Sequence, residues 1–322
     1  MMRWSRLRRE IGFGKDVAPW HGPPGQGCNV STRSTGLEGQ AAVPATCGEL
    51  FQGLIDGQTC LVSCPIDRHS RARVTVEEDG RRWRSRQPIS KTLAALDRAA
   101  EAWEYVAAGW VEIDSTIPRS RGYGSSTADI GAGLFALARA AGQPLEPAQA
   151  AQIAAEIEPT DSSLFPGLAL FAHRAGRLLR PLGPAPDLGV LVIDPGGQVD
   201  TVAYNREITP GALQRLAGAH REAFDWLAAG LAERDWALVG RGATLSACAH
   251  QAILFSSWLD AALEACRALG GLGVCRAHSG TILGVLFDPD RLPPEEALRR
   301  GRTLLPESLT VRPHCLVGGG AR

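Results

Sequence analysis

Residues 118–129 read Pro-Arg-Ser-Arg-Gly-Tyr-Gly-Ser-Ser-Thr-Ala-Asp, a run whose chemistry suits a bound anion. Gly122 and Gly124 carry no Cβ, so the backbone beside them can approach a ligand closely. Ser125, Ser126 and Thr127 offer hydroxyls to phosphate oxygens or to a metal ion. The alternating segment Trp110-Val111-Glu112-Ile113-Asp114 precedes this run, and the periodic Ile130, Leu134, Leu137 and Ala138 follow it. Together they predict a strand, a turn and a helix N-terminus. The unpaired N–H groups and partial positive charge of a first helical turn favour phosphate. The run has neither the Gly-Lys-Ser/Thr ending of a P-loop nor the spacing Gly-x-Gly-x-x-Gly. A serine cap after a turn would use the same residues without any chemistry.

Three further segments carry polar groups beyond what scaffolding requires. Residues 44–53, Pro-Ala-Thr-Cys-Gly-Glu-Leu-Phe-Gln-Gly, predict a strand ending in a small-residue turn that bears Glu49. In Glu158-Pro159-Thr160-Asp161 two carboxylates sit three apart at a helix end, facing the negative pole of the dipole. Such a pair is either exposed or suited to a metal ligand beside a hydroxyl-orienting base. The loop Arg276-Ala277-His278-Ser279-Gly280-Thr281 precedes an apolar strand and offers a turn or a second backbone cradle for phosphate.

The elements that must position these groups mix strands and helices without strict alternation, which predicts an α+β chain in two lobes. Strands are expected at residues 41–45, 59–64, 71–77 and 81–85, the last two joined by a hairpin turn at Glu78-Asp79-Gly80. Helices are expected at 89–107, 126–141 and 146–157, and a strand pair at 164–173 and 177–179. Residues 181–186 read as a linker. Beyond it lie strands at 189–194, 281–287 and 309–312 and helices at 210–229, 235–251, 257–269 and 294–305. The domain expectation is a flexible extension over 1–38, an N-terminal domain over 39–183 and a C-terminal domain over 187–322.

The 34 Lys and Arg residues balance 34 Asp and Glu, so no global field favours nucleic acid or an anionic membrane. No apolar run reaches the ~20 residues of a membrane span, and no h-region follows the charged N-terminus. Of eight cysteines only Cys60 and Cys64 lie close, and nothing completes a zinc set. Free thiols in a cytoplasmic protein are expected, with small molecules as partners.

In this order, the four segments resemble the GHMP kinases, the superfamily of galactokinase, homoserine kinase and mevalonate kinase. Residues 118–128 are similar to that family's Pro-x-x-x-Gly-Leu-Gly-Ser-Ser-x-Ala phosphate loop, with Tyr123 in place of Leu. The strings at 44–53, 125–130 and 158–162, with Val62-Ser63-Cys64-Pro65 and Val199-Asp200-Thr201, resemble more narrowly the L-threonine kinase branch of cobalamin biosynthesis. The resemblance implies a two-lobed fold, with a ribosomal protein S5 domain 2-like N-terminal lobe and a ferredoxin-like C-terminal lobe. It implies transfer of the ATP γ-phosphoryl to the hydroxyl of L-threonine, forming O-phospho-L-threonine for the aminopropanol phosphate linker of cobalamin. A kinase for another small hydroxylated metabolite, such as homoserine, is the alternative, and a non-catalytic sensor on this fold is a third reading.

The resemblance further implies that ATP is held by Pro118, Gly122, Gly124, Ser125, Ser126, Thr127, Ser279, Gly280 and Thr281. Magnesium would meet Ser126 and Glu158, and Asp161 would accept or orient the acceptor hydroxyl as the catalytic residue. Mevalonate kinases carry a lysine where this chain has Thr46, so charge near the γ-phosphate must be neutralised otherwise. Glu49 is a candidate for the substrate ammonium or a brace for its turn. Asp129 would need a cation, magnesium or ammonium, between itself and the phosphates. Arg68, Arg86, Arg276 and His278 are candidates for the amino acid's carboxylate.

Overall fold

The computed structural model describes residues 37–322 except 78–81, 106–107 and 198–209. The expected extension therefore lies, through residue 36, outside the described residues, as do the hairpin turn at 78–80 and Val199-Asp200-Thr201.

Two 19-residue strands, β1 (Leu37–Ile55) and β2 (Gln58–Val76), form an antiparallel hairpin about Asp56-Gly57. The strands expected at 59–64 and 71–77 are parts of the single strand β2, and that expected at 41–45 is only the middle of β1, because the small polar residues at 44–53 read as a turn. Those residues instead lie inside β1, where register shifts between Pro44 and Phe51 bulge the strand. A bulge re-aims side chains without ending the pairing. Glu49 accordingly points inward and is buried rather than solvated.

The sheet grows outward from this hairpin. On one side β4 (Gly109–Ser115) pairs antiparallel with β2, and the two-residue β3 (Trp83–Arg84) pairs parallel with β4. Among the described residues the basic arm thus pairs with β4 and not with β2, and Arg84 stacks on Trp110 with its guanidinium 4.9 Å from the ring. Strands β5 (Leu168–Ala172) and β6 (Arg177–Gly183) pair with each other, and β5 touches β2 at Leu61. The expected linker at 181–186 is thus partly strand.

On the other side β7 (Gly189–Asp194), β8 (Gly273–Arg276), β9 (Leu283–Phe287) and β10 (Thr310–Cys315) run in the order β10-β7-β9-β8 to β1. The join between β1 and β8 is a single pair, Glu49 opposite Arg276. The four-residue β8 is missing from the expectation, being too short for an alternation pattern.

Helices cover these strands: α1 (Ser90–Ala102), α2 (Ser125–Ala141) and α3 (Pro147–Ile157) in the first half. The second half carries α4 (Pro210–Arg215), α5 (Ala217–Glu233), α6 (Trp236–Ala249), α7 (Leu259–Leu269) and α8 (Pro294–Leu304). The helix expected over 210–229 is broken at Leu216, between α4 and α5. Helix α3 starts with Pro147 behind a reciprocal cap between Glu146 and Gln149, and Asp235 caps α6. Helix α2 packs on β1 and β2 and is buried almost all round, so its alanines and glycines let it sit close to the sheet. That burial fixes the helix whose first turn begins the candidate site. No described helix is long and apolar enough to cross a membrane.

Candidate active site

The glycine-serine loop is zipped onto β1 on one side and onto the loop after β8 on the other. Thr46 N–H donates to the Tyr123 carbonyl at 2.9 Å, and Gly48 N–H to the Gly122 carbonyl at 3.1 Å. Thr281 and Ile282 N–H groups both donate to the Arg121 carbonyl, at 2.9 and 3.1 Å. Three of the four sequence segments thus meet at one loop. Gly122 must lack a Cβ because Ala277 would lie 2.1 Å from it. Gly124 precedes α2 with φ +64°, and a Cβ there would stand 2.6 Å from Asp161 Oδ2. Both glycines are needed for backbone conformation and close approach.

No side chain caps α2, so its first-turn N–H groups have no capping acceptor and suit an anion. Ser125 and Ser126 are half-buried on this turn, with Pro118 half-buried at the loop's start. Thr127 differs from expectation. Its hydroxyl is buried, 2.9 Å from Thr160 Oγ1, and accepts the Asp161 N–H at 3.1 Å. It ties the fourth segment to the helix, leaving only its backbone to face an anion. Around the loop the hydroxyls of Thr46 and Thr281 are buried without a hydrogen-bond partner. The Thr46 oxygen would be 2.9 Å from a Cβ on Gly124, so it borders the cradle. Ser279 and Gly280 lie beside it, Gly280 backed onto the Arg121 carbonyl.

Glu158 ends α3 and accepts a short hydrogen bond from the Ser126 hydroxyl. Its other oxygen accepts from Lys91 Nζ at 2.6 Å. Sequence reasoning missed Lys91, although a lysine in a first helical turn works against the dipole and is a signal of another task. Magnesium takes hard oxygens, usually one or two carboxylates with phosphates and waters. A hydroxyl and a carboxylate oxygen already in contact fit that donor set. No trio of His, Cys, Asp or Glu suited to a metal occurs among the described residues, and an ion completed by nucleotide oxygens needs none.

Asp161 lies against Gly124, and burial pushes its carboxyl up to about 7, with the Glu49 charge adding to the effect and the Thr127 hydrogen bond opposing it. Burial likewise pushes Glu49 up to about 7, opposed by the His278 N–H. Glu49, from a distant segment, thus resists the ionisation of Asp161 at the head of the phosphate loop, and a cation beside Asp161 would relieve it.

The remaining expected site residues fall elsewhere. Asp129 is buried, accepts from Ser70 Oγ at 2.6 Å and pairs with Arg119 at 3.5 Å, so these partners answer its charge instead of a ligand. His278 is fully buried with both ring nitrogens engaged, which withdraws it from direct substrate contact. Arg276 is buried and donates to Gln251 Oε1 at 2.9 Å. Arg68 is half-buried beside the phosphate loop, with Tyr123, Arg312 and Asp194 as its titratable neighbours. Among the described residues, Cys47, Cys60, Cys64, Cys266 and Cys275 are buried thiols outside any disulfide and Cys248 an exposed one.

Comparison with known proteins agrees with this geometry. The models of the GHMP kinases N terminal domain and GHMP kinases C terminal match residues 89–166 and 227–303. An L-threonine kinase of Citrobacter freundii is 34% identical over 255 residues, 78% of this chain and 87% of that protein. An L-threonine kinase of Salmonella typhimurium is 33% identical over 256 residues, covering 78% and 83%. Among solved structures, a homoserine kinase from Cytophaga hutchinsonii superposes with TM-score 0.68 at 18% identity, over 91% of this chain and 99% of that one. The L. major mevalonate kinase, in complex with R-mevalonate, gives TM-score 0.63 at 16% identity, over 88% and 96%. A loop zipped between two flanking segments, family models on both sides and relatives matched over most of their length lead to one conclusion: the chain belongs to the GHMP kinases.

Proposed function

We propose that the protein transfers the γ-phosphoryl of ATP to the side-chain hydroxyl of L-threonine, forming O-phospho-L-threonine for the cobalamin linker. The observation that carries this reading is the pair Glu49, buried, and Asp161, half-buried against Gly124 before an uncapped helix N-terminus. An amino acid with a hydroxyl asks for one carboxylate near its ammonium and another near its hydroxyl. Identity to two L-threonine kinases over most of their length supports that choice of acceptor.

Phosphoryl transfer leaves the protein mainly positioning and electrostatic work. First-turn N–H groups of α2, with Ser125, Ser126 and the loop at Ser279-Gly280-Thr281, hold the phosphates. Ser126 and Glu158 would hold magnesium, which neutralises phosphate charge when bound. Lys91 supplies a positive charge to the same carboxylate and answers for the lysine that Thr46 replaces. Asp161 accepts or orients the acceptor hydroxyl, and Glu49 meets the ammonium. Residues 39–183 form the ATP-binding domain and 187–322 the C-terminal domain. Free buried thiols support a cytoplasmic setting.

The test is an ADP-release assay with ATP, magnesium and a panel of L-threonine, L-serine and L-homoserine. Turnover is expected with threonine and far less with the other two. Equal or greater turnover of homoserine would overturn the threonine reading while keeping the kinase.

A further inference from the structure

Glu49 and His278 lie 229 positions apart, yet two donors from one residue meet one carboxylate oxygen. The His278 backbone N–H reaches Glu49 Oε2 at 2.8 Å, and ring Nδ1 lies 3.0 Å from the same atom. Nδ1 is also 3.1 Å from the Arg276 carbonyl. Both neighbours of Nδ1 accept, so the proton of the neutral ring sits there. Nε2 then accepts from Ser246 Oγ at 3.0 Å, and that oxygen accepts the Gln52 N–H at 3.1 Å. His250 Nε2 donates to the His278 carbonyl at 2.7 Å and closes the set from behind.

The resulting chain runs from β1 through α6 and the loop after β8 and returns to β1. Ser246, His250 and His278 are all at most 2% exposed, so none can touch a substrate. Ser246 is no nucleophile either, buried and bonded on both sides. Glu49 Oε1, in contrast, has no hydrogen-bond partner among the described residues.

We propose that His278 is a positioning residue for the amino-acid subsite. With Ser246 fixing its ring, it holds Glu49 Oε2 so that Oε1 is presented to the substrate's ammonium. This rests on the reading of Glu49 given under the proposed function. A glutamate carboxylate, free to turn about its side-chain bonds, would otherwise adopt several orientations, and freezing one lowers the entropic cost of binding.

Two substitutions separate the ring's two roles. In His278→Asn the amide nitrogen falls where Nδ1 stood and keeps the donor to Glu49. In His278→Gln the amide falls near Nε2 and keeps the bond to Ser246 while losing the donor to Glu49. Steady-state kinetics should show His278→Gln raising the threonine KM by about 10-fold or more, the usual effect of losing a charge-assisted hydrogen bond. His278→Asn should stay within about threefold, and the ATP KM within about twofold in both. Ser246→Ala, the gentlest change, should raise the threonine KM about threefold and serves as the deciding variant if His278→Gln does not fold.

Matching shifts of both KM values in both His278 variants would mark a merely structural residue and overturn the proposal. So would a wild-type threonine KM in His278→Gln, or in Ser246→Ala where that variant decides. A wild-type enzyme that ignores threonine would overturn the substrate reading, and the proposal with it. Wild-type turnover of threonine with no selective shift in these variants would overturn the proposal alone.

Discussion

The two halves of the site are built on different principles. The proposed phosphate half centres on one contiguous run, Pro118 to Thr127, with the loop at Ser279-Gly280-Thr281 bonded to it, and its working groups are mostly backbone N–H and hydroxyl. The proposed acceptor half gathers buried Glu49 and His278 and half-buried Asp161 from three segments far apart in the chain. Backbone dipoles bind a polyanion wherever a loop and helix take the right shape, so local sequence suffices to specify them. Buried carboxylates are costly unless paired, so their placement depends on the whole packed core. The difference separates affinity for ATP from choice of acceptor.

The largest expected effect falls on the acceptor half. Asp161→Asn should lower kcat by about 100-fold or more, the usual worth of a positioned base. Nucleotide binding, followed by a fluorescent ATP analogue, should survive, because the asparagine keeps the Thr127 hydrogen bond to the backbone. Loss of ATP affinity equal to the loss of kcat would erase the distinction between the halves.

A pH dependence comes next. Glu49 and Asp161 are each pushed up to about 7 in the fold, well above a carboxyl in an unfolded chain. The ligand-free fold therefore holds more protons than the unfolded chain between about pH 4 and pH 7. The stability these groups add is present below their unfolded pKa and lost as pH rises through about 7. Melting temperature without ligand should fall from pH 5 to pH 8, and Glu49→Gln should flatten that slope. Activity runs the other way: a base must be ionised, so kcat/KM should drop about tenfold per unit below pH 7. A flat activity profile from pH 5.5 to 8 would remove Asp161 as base.

The same contrast explains what could be read from sequence. The phosphate loop, helix α2 and the Glu158–Asp161 pair were legible because each is a local pattern: glycines, hydroxyls, apolar periodicity, a helix end. The bulged centre of β1 was read as a turn, since small residues carry the same signature in a turn and in a bulge. A turn would leave Glu49 near the surface, whereas the register shifts bury it. Asp129 looked like a ligand because it sits one turn from the loop, and only packing brings Ser70 and Arg119 to it. His278 stands out in the sequence as a candidate, but its bonds to Ser246 and Glu49 form only across the fold. Short β8 offers no period at all.

The smallest effect belongs to the phosphate half and tests whether it stands alone. Tyr123, where the family has leucine, donates its hydroxyl to Asp194 Oδ2 at 3.1 Å, and Arg121 meets the same oxygen at 3.1 Å. Asp194 ends β7 and its other oxygen accepts the Gly196 N–H at 2.8 Å. Residues on either side of Gly122 are thus pinned to one buried carboxylate from the other half of the sheet. Tyr123→Phe removes one of the two pins and keeps the ring in its pocket. The ATP KM should rise about threefold, within the net worth of a single hydrogen bond, while the threonine KM stays unchanged. If threonine KM rises as far as ATP KM, the loop and the acceptor pocket move as one body, and the separation of affinity from choice fails at the residue where this chain departs from its family.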